Sequence, residues 1–163
     1  MSQVFKGWMV LLMGISLIAC SDGPEKNIYV EPAQAIVSLK DTPVMPIALQ
    51  EVVDTYVLGG SRTDLQREHL TAKLVGATVS WRFKVYDVAK ENGRYRIMSE
   101  LMSGTDAGAF GKFTVVAFVA ARDDQDVQAL MKLQTGSDIG IRGRVDSVTV
   151  RTALVLSPAE LLY

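Results

Sequence analysis

A single cysteine stands among 163 residues, together with one histidine, five prolines and an aromatic content of 7%. Each of these scarcities removes a class of protein. One cysteine cannot close a disulfide within the chain, so a miniature fold built on disulfides is excluded. His69 is the sole histidine, so a catalytic triad or a zinc site has no second imidazole to draw upon. Gly104, Gly108 and Gly111 are too widely spaced for a phosphate-cradling loop, since neither GxGxxG nor a GK[ST] ending is present. The leading apolar run, residues 7–19, has 13 residues; at about 1.5 Å per residue it falls short of a hydrocarbon core of about 30 Å. What remains is a chain that is 48% hydrophobic and 21% charged, too apolar for disorder.

The apolar run follows Lys6 and gives way abruptly to Ser21-Asp22-Gly23-Pro24, which predicts a cleavable signal peptide over residues 1–19. Leu17-Ile18-Ala19-Cys20 resembles the lipobox of bacterial lipoproteins. That resemblance implies a diacylglyceryl group on the Cys20 sulfur, cleavage before Cys20, and a palmitate-bearing N-terminus. Each buried methylene contributes roughly 0.8 kcal/mol, so several acyl chains hold a protein to the membrane for good. Ser21 after the cysteine implies delivery to the outer membrane, on the side facing the periplasm.

Removing residues 1–19 leaves 144 residues, from 163 − 19, which is one domain with a tether. It also removes Lys6, so 17 basic and 18 acidic groups become 16 and 18, a net charge of −2. That balance argues against a dedicated nucleic-acid binder. Residues 20–45 carry Pro24, Pro32 and Pro43 and are predicted to form a tether or an extended arm, with Ile28, Val30, Ile36, Val37 and Leu39 available to pack on a domain. The domain is expected over residues 46–163.

Pro46 opens a helix with Leu49, Val52, Val53 and Tyr56 on one face, ended by Gly59-Gly60. Thr63-Asp64-Leu65-Gln66 has the spacing of a capping box and starts a second helix, through Leu70 and Leu74 to Gly76. The period then changes to two. Val79, Trp81, Phe83 and Val85 alternate with Ser80, Arg82, Lys84 and Tyr86, and Asn92-Gly93 predicts a hairpin turn. The return strand sets Tyr95, Ile97 and Leu101 against Arg94, Arg96, Met98 and Glu100. Residues 113–121 read as a strand apolar on both faces. Asp123 or Asp124 caps a third helix bearing Val127, Leu130 and Met131. Two strands follow, Ile139-Ile141-Val145 and Val148-Val150-Thr152-Leu154-Leu156.

Strand, strand, strand, helix, strand, strand is the order of the OB-fold, a five-stranded Greek-key barrel. The chain also resembles a group of small bacterial OB-fold lipoproteins of the tRNA_anti-like family. The likeness rests on residues 63–68, on Gly76 with Thr78-Val79-Ser80-Trp81, on Val85-Tyr86-Asp87-Val88, and on residues 136–145. It implies the fold and no catalytic residue. Anticodon binding does not carry over to an exported protein.

Arg82, Lys84, Arg94 and Arg96, with Tyr86 and Met98, are predicted on the outer face of the first hairpin, which in an OB barrel is a usual ligand surface. They are the candidate binding residues; the bland alternative is a solvated face whose charges guard strand edges. Trp81 falls in the core register. Asp123, Asp124 and Asp126 read as helix capping rather than a cation site. No catalytic residue, metal or cofactor is expected. The sequence thus predicts a non-enzymatic, lipid-anchored envelope protein whose barrel binds a protein or an anionic envelope polymer, rather than nucleic acid. Alternatives are a structural or exclusion lipoprotein that blocks a receptor or channel, and an accessory to an envelope hydrolase.

Overall fold

The computed structural model describes residues 39–149 and 151–163. The signal peptide, Cys20, most of the tether and Val150 lie outside the described residues. Two helices, α1 (Leu49–Tyr56) and α2 (Asp64–Leu74), precede the strands β1 (Thr78–Glu91), β2 (Arg94–Ser99), β3 (Met102–Ser103) and β4 (Lys112–Val119). Helix α3 (Asp124–Lys132) follows, then β5 (Asp138–Thr149) and β6 (Ala153–Leu162).

Each element begins where local chemistry satisfies it. Thr63 Oγ1 accepts from the Gln66 amide while Gln66 Oε1 accepts from the Thr63 amide, the reciprocal box expected at the start of α2. Asp123, the first of the two candidate caps, accepts from the Asp126 amide at 2.9 Å and caps α3. Asn92 and Gly93, at φ 48° and 77°, make the β1–β2 turn in the left-handed region that this dipeptide tolerates.

The strands run in the order β2-β1-β5-β6-β4, and pairing of β2 with β4 closes the ring. All of its pairs are antiparallel except β4 with β6. A closed five-stranded barrel with a helix between its third and fourth long strands is an OB-fold. The alternation of β1 places Val79, Trp81, Phe83 and Val85 inside with Ile97, Phe113, Val115, Ala117, Ile141 and Leu156. Helix α1 closes the core with Val52, Val53 and Tyr56, whose ring stacks on Phe113 at 5.8 Å. Residues 39–48 are drawn onto the barrel by bonds that include Met45 N–H to Thr78 O, Trp81 Nε1–H to Ile47 O, and Arg142 Nη2 to Lys40 O and Thr42 O.

Three details depart from the sequence reading. Leu101, expected inside, is 67% exposed, because β2 ends at Ser99. The Ser99 hydroxyl turns in and accepts from the Val115 amide, and the Glu100 amide bonds back to Lys84 O. Met131 is 78% exposed, since α3 buries Asp126 and Leu130 instead. Finally, Val148 belongs to the end of β5, and β6 begins at Ala153 after a turn through Arg151 at φ 65°. That turn has neither glycine nor asparagine to announce it.

Candidate functional site

The six hairpin residues divide into two groups. Arg82, Lys84 and Tyr86 are exposed along β1, whereas Arg94, Arg96 and Met98 are half-buried on β2. A bulge between Val85 and Asp87 separates them: Val85 pairs with Ser99, then Asp87 with Met98, which leaves Tyr86 as the extra residue. The Tyr86 side chain is 59% exposed, and its carbonyl accepts from the Thr135 hydroxyl at 2.8 Å.

Beyond the bulge the arginines are tied to neighbouring groups. Arg96 Nε donates to Glu91 at 2.6 Å and Nη2 to Asp87 at 3.3 Å, and Nη1 also meets the Met98 sulfur. Glu91 first, then Asp87, raises the Arg96 pKa further above its ordinary value, against the loss of water around the guanidinium. Arg94 donates to Ser157 Oγ at 3.3 Å and lies 5.3 Å over the Phe118 ring. These side chains knit β2 to its neighbours.

On the near side of the bulge, Lys84 reaches Asp138 at 3.3 Å, an ion pair in which both side chains are more than half exposed. The Arg82 side chain has no ion pair or hydrogen bond to any described residue. It lies beside Gly140, its partner across β1 and β5, and a Cβ at Gly140 would come within 3.7 Å of Arg82 Nη1 and 3.1 Å of Leu162 Cβ. Three grooves adjoin here. One of about 360 Å³ runs between Arg82, Lys84, Glu100 and Gln50. A second, of about 290 Å³, lies between Arg82, Leu133, Leu162 and Tyr163. A third, of about 270 Å³, separates Tyr86 from Gln134 and Thr135. Arg82 and Asp138 border the first two, so charge and apolar surface alternate along one strip.

The loop of residues 103–111 is not a free flap. Thr105 donates to Asp54 through both its amide, at 2.7 Å, and its hydroxyl, at 2.8 Å, while the Phe110 amide bonds to Leu58 O. At Gly59, φ 75°, a Cβ would run into Gly108 O and the Phe110 ring. His69 is exposed on α2. Among the described residues no group of three potential ligands is placed to hold a metal ion.

One cluster went unread in the sequence. Asp126, 1% exposed, is gripped by Arg122 through Nε and Nη2, each at 2.8 Å, and through the Arg122 amide. The Tyr163 hydroxyl donates to Asp126 at 2.6 Å, and Arg122 Nη1 also reaches the buried Glu160 at 3.5 Å. The Arg122 guanidinium, with the Tyr163 hydroxyl in support, holds the Asp126 carboxyl well below the usual carboxylate range despite its burial. Loss of water around its hydroxyl and the Asp126 carboxylate push the Tyr163 phenol up to about 12. This network ties the end of β6 to α3 and shapes one wall of the Arg82–Leu162 groove.

No family model matches the chain, and neither does any curated protein. Among solved structures the chain is similar to a Klebsiella pneumoniae lipoprotein named as a candidate nucleic acid-binding protein. The likeness has 22% identity over 61% of this chain and 81% of that one, at a TM-score of 0.39. It is also similar to an OBody bound to hen egg-white lysozyme, with 16% identity over 58% of this chain and 90% of that one, at a TM-score of 0.34. An aspartyl tRNA synthetase from Entamoeba histolytica is 20% identical over 72% of this chain, which spans 24% of the synthetase, at a TM-score of 0.39. Likenesses at this level carry no function across.

Proposed function

We propose that the protein is a lipid-anchored, non-enzymatic OB-fold module of the tRNA_anti-like group, held by acylated Cys20 at the periplasmic face of the outer membrane. Its barrel engages a protein or an anionic envelope polymer, rather than nucleic acid. The observation that carries this reading is the strip along β1, where Arg82, whose side chain has no partner among the described residues, and exposed Tyr86 border three adjoining grooves. A mixed surface of this kind, cationic and aromatic around shallow clefts of polar and apolar lining, suits macromolecular recognition. Of the six candidate residues, Arg82, Lys84 and Tyr86 are the contact residues in this reading. Arg94, Arg96 and Met98 support the hairpin that presents them.

The two groups respond differently to neutralisation. Arg82→Gln with Lys84→Gln leaves stability within about 0.5 kcal/mol, because exposed ion pairs contribute little. It lowers recovery of partners from solubilised envelopes, and wild-type recovery itself falls as salt rises past the point where the Debye length drops below about 10 Å. Arg96→Gln instead costs stability, since Glu91 and Asp87 lose their shared partner. Equal partner recovery by wild type and the Arg82/Lys84 double variant at low and moderate salt would remove the strip from consideration.

A further inference from the structure

Away from this strip, the turn between β5 and β6 faces α2 across a groove of about 590 Å³ lined by Tyr56, Asp64, Arg67, Thr71, Val148 and Arg151, among others. At its mouth two guanidiniums converge on one oxygen. Asp64 Oδ1 accepts from Arg67 Nη1 at 2.8 Å and from Arg151 Nη2 at 3.0 Å. The two cations arrive from separate parts of the fold, and Arg67 is held in place independently of Asp64. Arg67 has a side chain only 14% exposed, and its Nε donates to Thr55 O at 2.9 Å. The Arg151 side chain is 40% exposed with Asp64 as its one partner among the described residues, and its backbone stands at φ 65°, a conformation that non-glycine residues seldom adopt.

The anion between them is the loosest member of the group. Asp64 sits at the first position of α2 with its side chain 73% exposed, and its Oδ2 has no partner among the described residues. Arg67 Nη2 and Arg151 Nε and Nη1 likewise donate to no described residue. Two convergent guanidiniums with unspent donors match a carboxylate, which accepts through both oxygens. Deeper in, the polar groups are already satisfied: the Thr71 hydroxyl donates to Arg67 O, so the Tyr56 hydroxyl donates to Thr71 at 2.7 Å. The remaining lining from Ala72 and Val148 is apolar. Glu68 on the rim opposes a second negative charge.

We propose that this groove binds a monocarboxylate with an aliphatic body, the ligand's carboxylate entering between Arg67 and Arg151 in the place that the Asp64 carboxylate holds in the free protein. Asp64 then acts as a tethered competitor that leaves the site when ligand arrives. This site is independent of the β1 strip, since Val148 lies near the end of β5 remote from Gly140.

The test uses hexanoate as the probe, with acetate and inorganic phosphate as comparisons, followed by backbone amide chemical shifts of the protein. Asp64→Ala removes the competitor and keeps the Thr63 cap. It is expected to bind hexanoate about 10-fold more tightly than wild type, a difference of about 1.4 kcal/mol, with acetate and phosphate weaker. Adding Arg151→Gly removes one guanidinium while giving the turn a residue suited to its positive φ, so the fold is kept and hexanoate binding is lost. A thermal transition as cooperative as that of wild type checks that both variants are folded. Three results would overturn the proposal: no saturable shift in the Asp64→Ala variant, equal affinity in that variant and wild type, or binding that survives Arg151→Gly. Phosphate binding tighter than hexanoate would overturn the assignment to a carboxylate.

Discussion

Replacing Trp81 by alanine is expected to destabilise the barrel by about 3 to 5 kcal/mol, the range for deleting a large buried aromatic side chain. Trp81 is 5% exposed and lies in the core with Val79, Phe83 and Ile141. Its indole also performs a second task. Nε1–H donates to Ile47 O at 2.9 Å and so fastens the segment ahead of α1 to the barrel wall. Trp81→Phe separates the two contributions, because it keeps most of the apolar bulk and loses the donor. That variant should cost less than the alanine change, with about 1 kcal/mol or more from the unmade hydrogen bond to Ile47 O. Urea unfolding followed by far-ultraviolet circular dichroism measures both. A loss below about 1 kcal/mol for Trp81→Ala would mean that the indole is not a core element.

The second large effect concerns Asp126, and it has a pH signature. Its carboxyl titrates well below the ordinary value of about 3.9 in the folded protein and near that value in the unfolded chain. A depressed folded pKa contributes stability that is fully present above the unfolded value and is lost as pH falls toward the folded one. Wild-type stability should therefore decline as pH falls below about 5. Asp126→Asn removes this component of the decline, so its stability varies less over the same acidic range. At neutral pH the substitution should cost about 3 kcal/mol, the lower end for removing one partner of a buried pair. The lower end applies because the Arg122 side chain keeps 29% exposure and can regain water. Unfolding free energies of both proteins between neutral pH and about pH 3 provide the check. Parallel curves would show that Asp126 is not the group responsible.

Local pattern made much of the architecture readable. The alternation around Trp81, the Asn92-Gly93 turn and the Thr63–Gln66 box each rest on neighbours within a few residues, and each lies where expected. What escaped depends on distant partners. Asp126 sits among three aspartates that read as a cap; Arg122 grips its carboxylate from four residues back, and Tyr163 and Glu160, distant in sequence, complete the buried cluster. Asp64 reads as part of a capping box, yet it also meets Arg151 across the groove. The even spacing of Arg82, Lys84, Arg94 and Arg96 suggested one basic surface. The bulge at Tyr86 and the interleaved Asp87, Glu91 and Asp138 are what divide it, and alternation alone carries no sign of a bulge.

The most direct test of an anchored module that recognises its partner through the β1 strip is site-specific photocrosslinking in intact envelopes. A photoreactive residue at position 86 is compared with one at the exposed Asp146 position, each in the wild-type background and with Cys20→Ala. A discrete crosslinked species is expected from position 86 in the membrane fraction, absent from position 146 and lost or displaced to the soluble fraction with Cys20→Ala. The same adducts from both positions, or an adduct in the membrane fraction unchanged by Cys20→Ala, would contradict it.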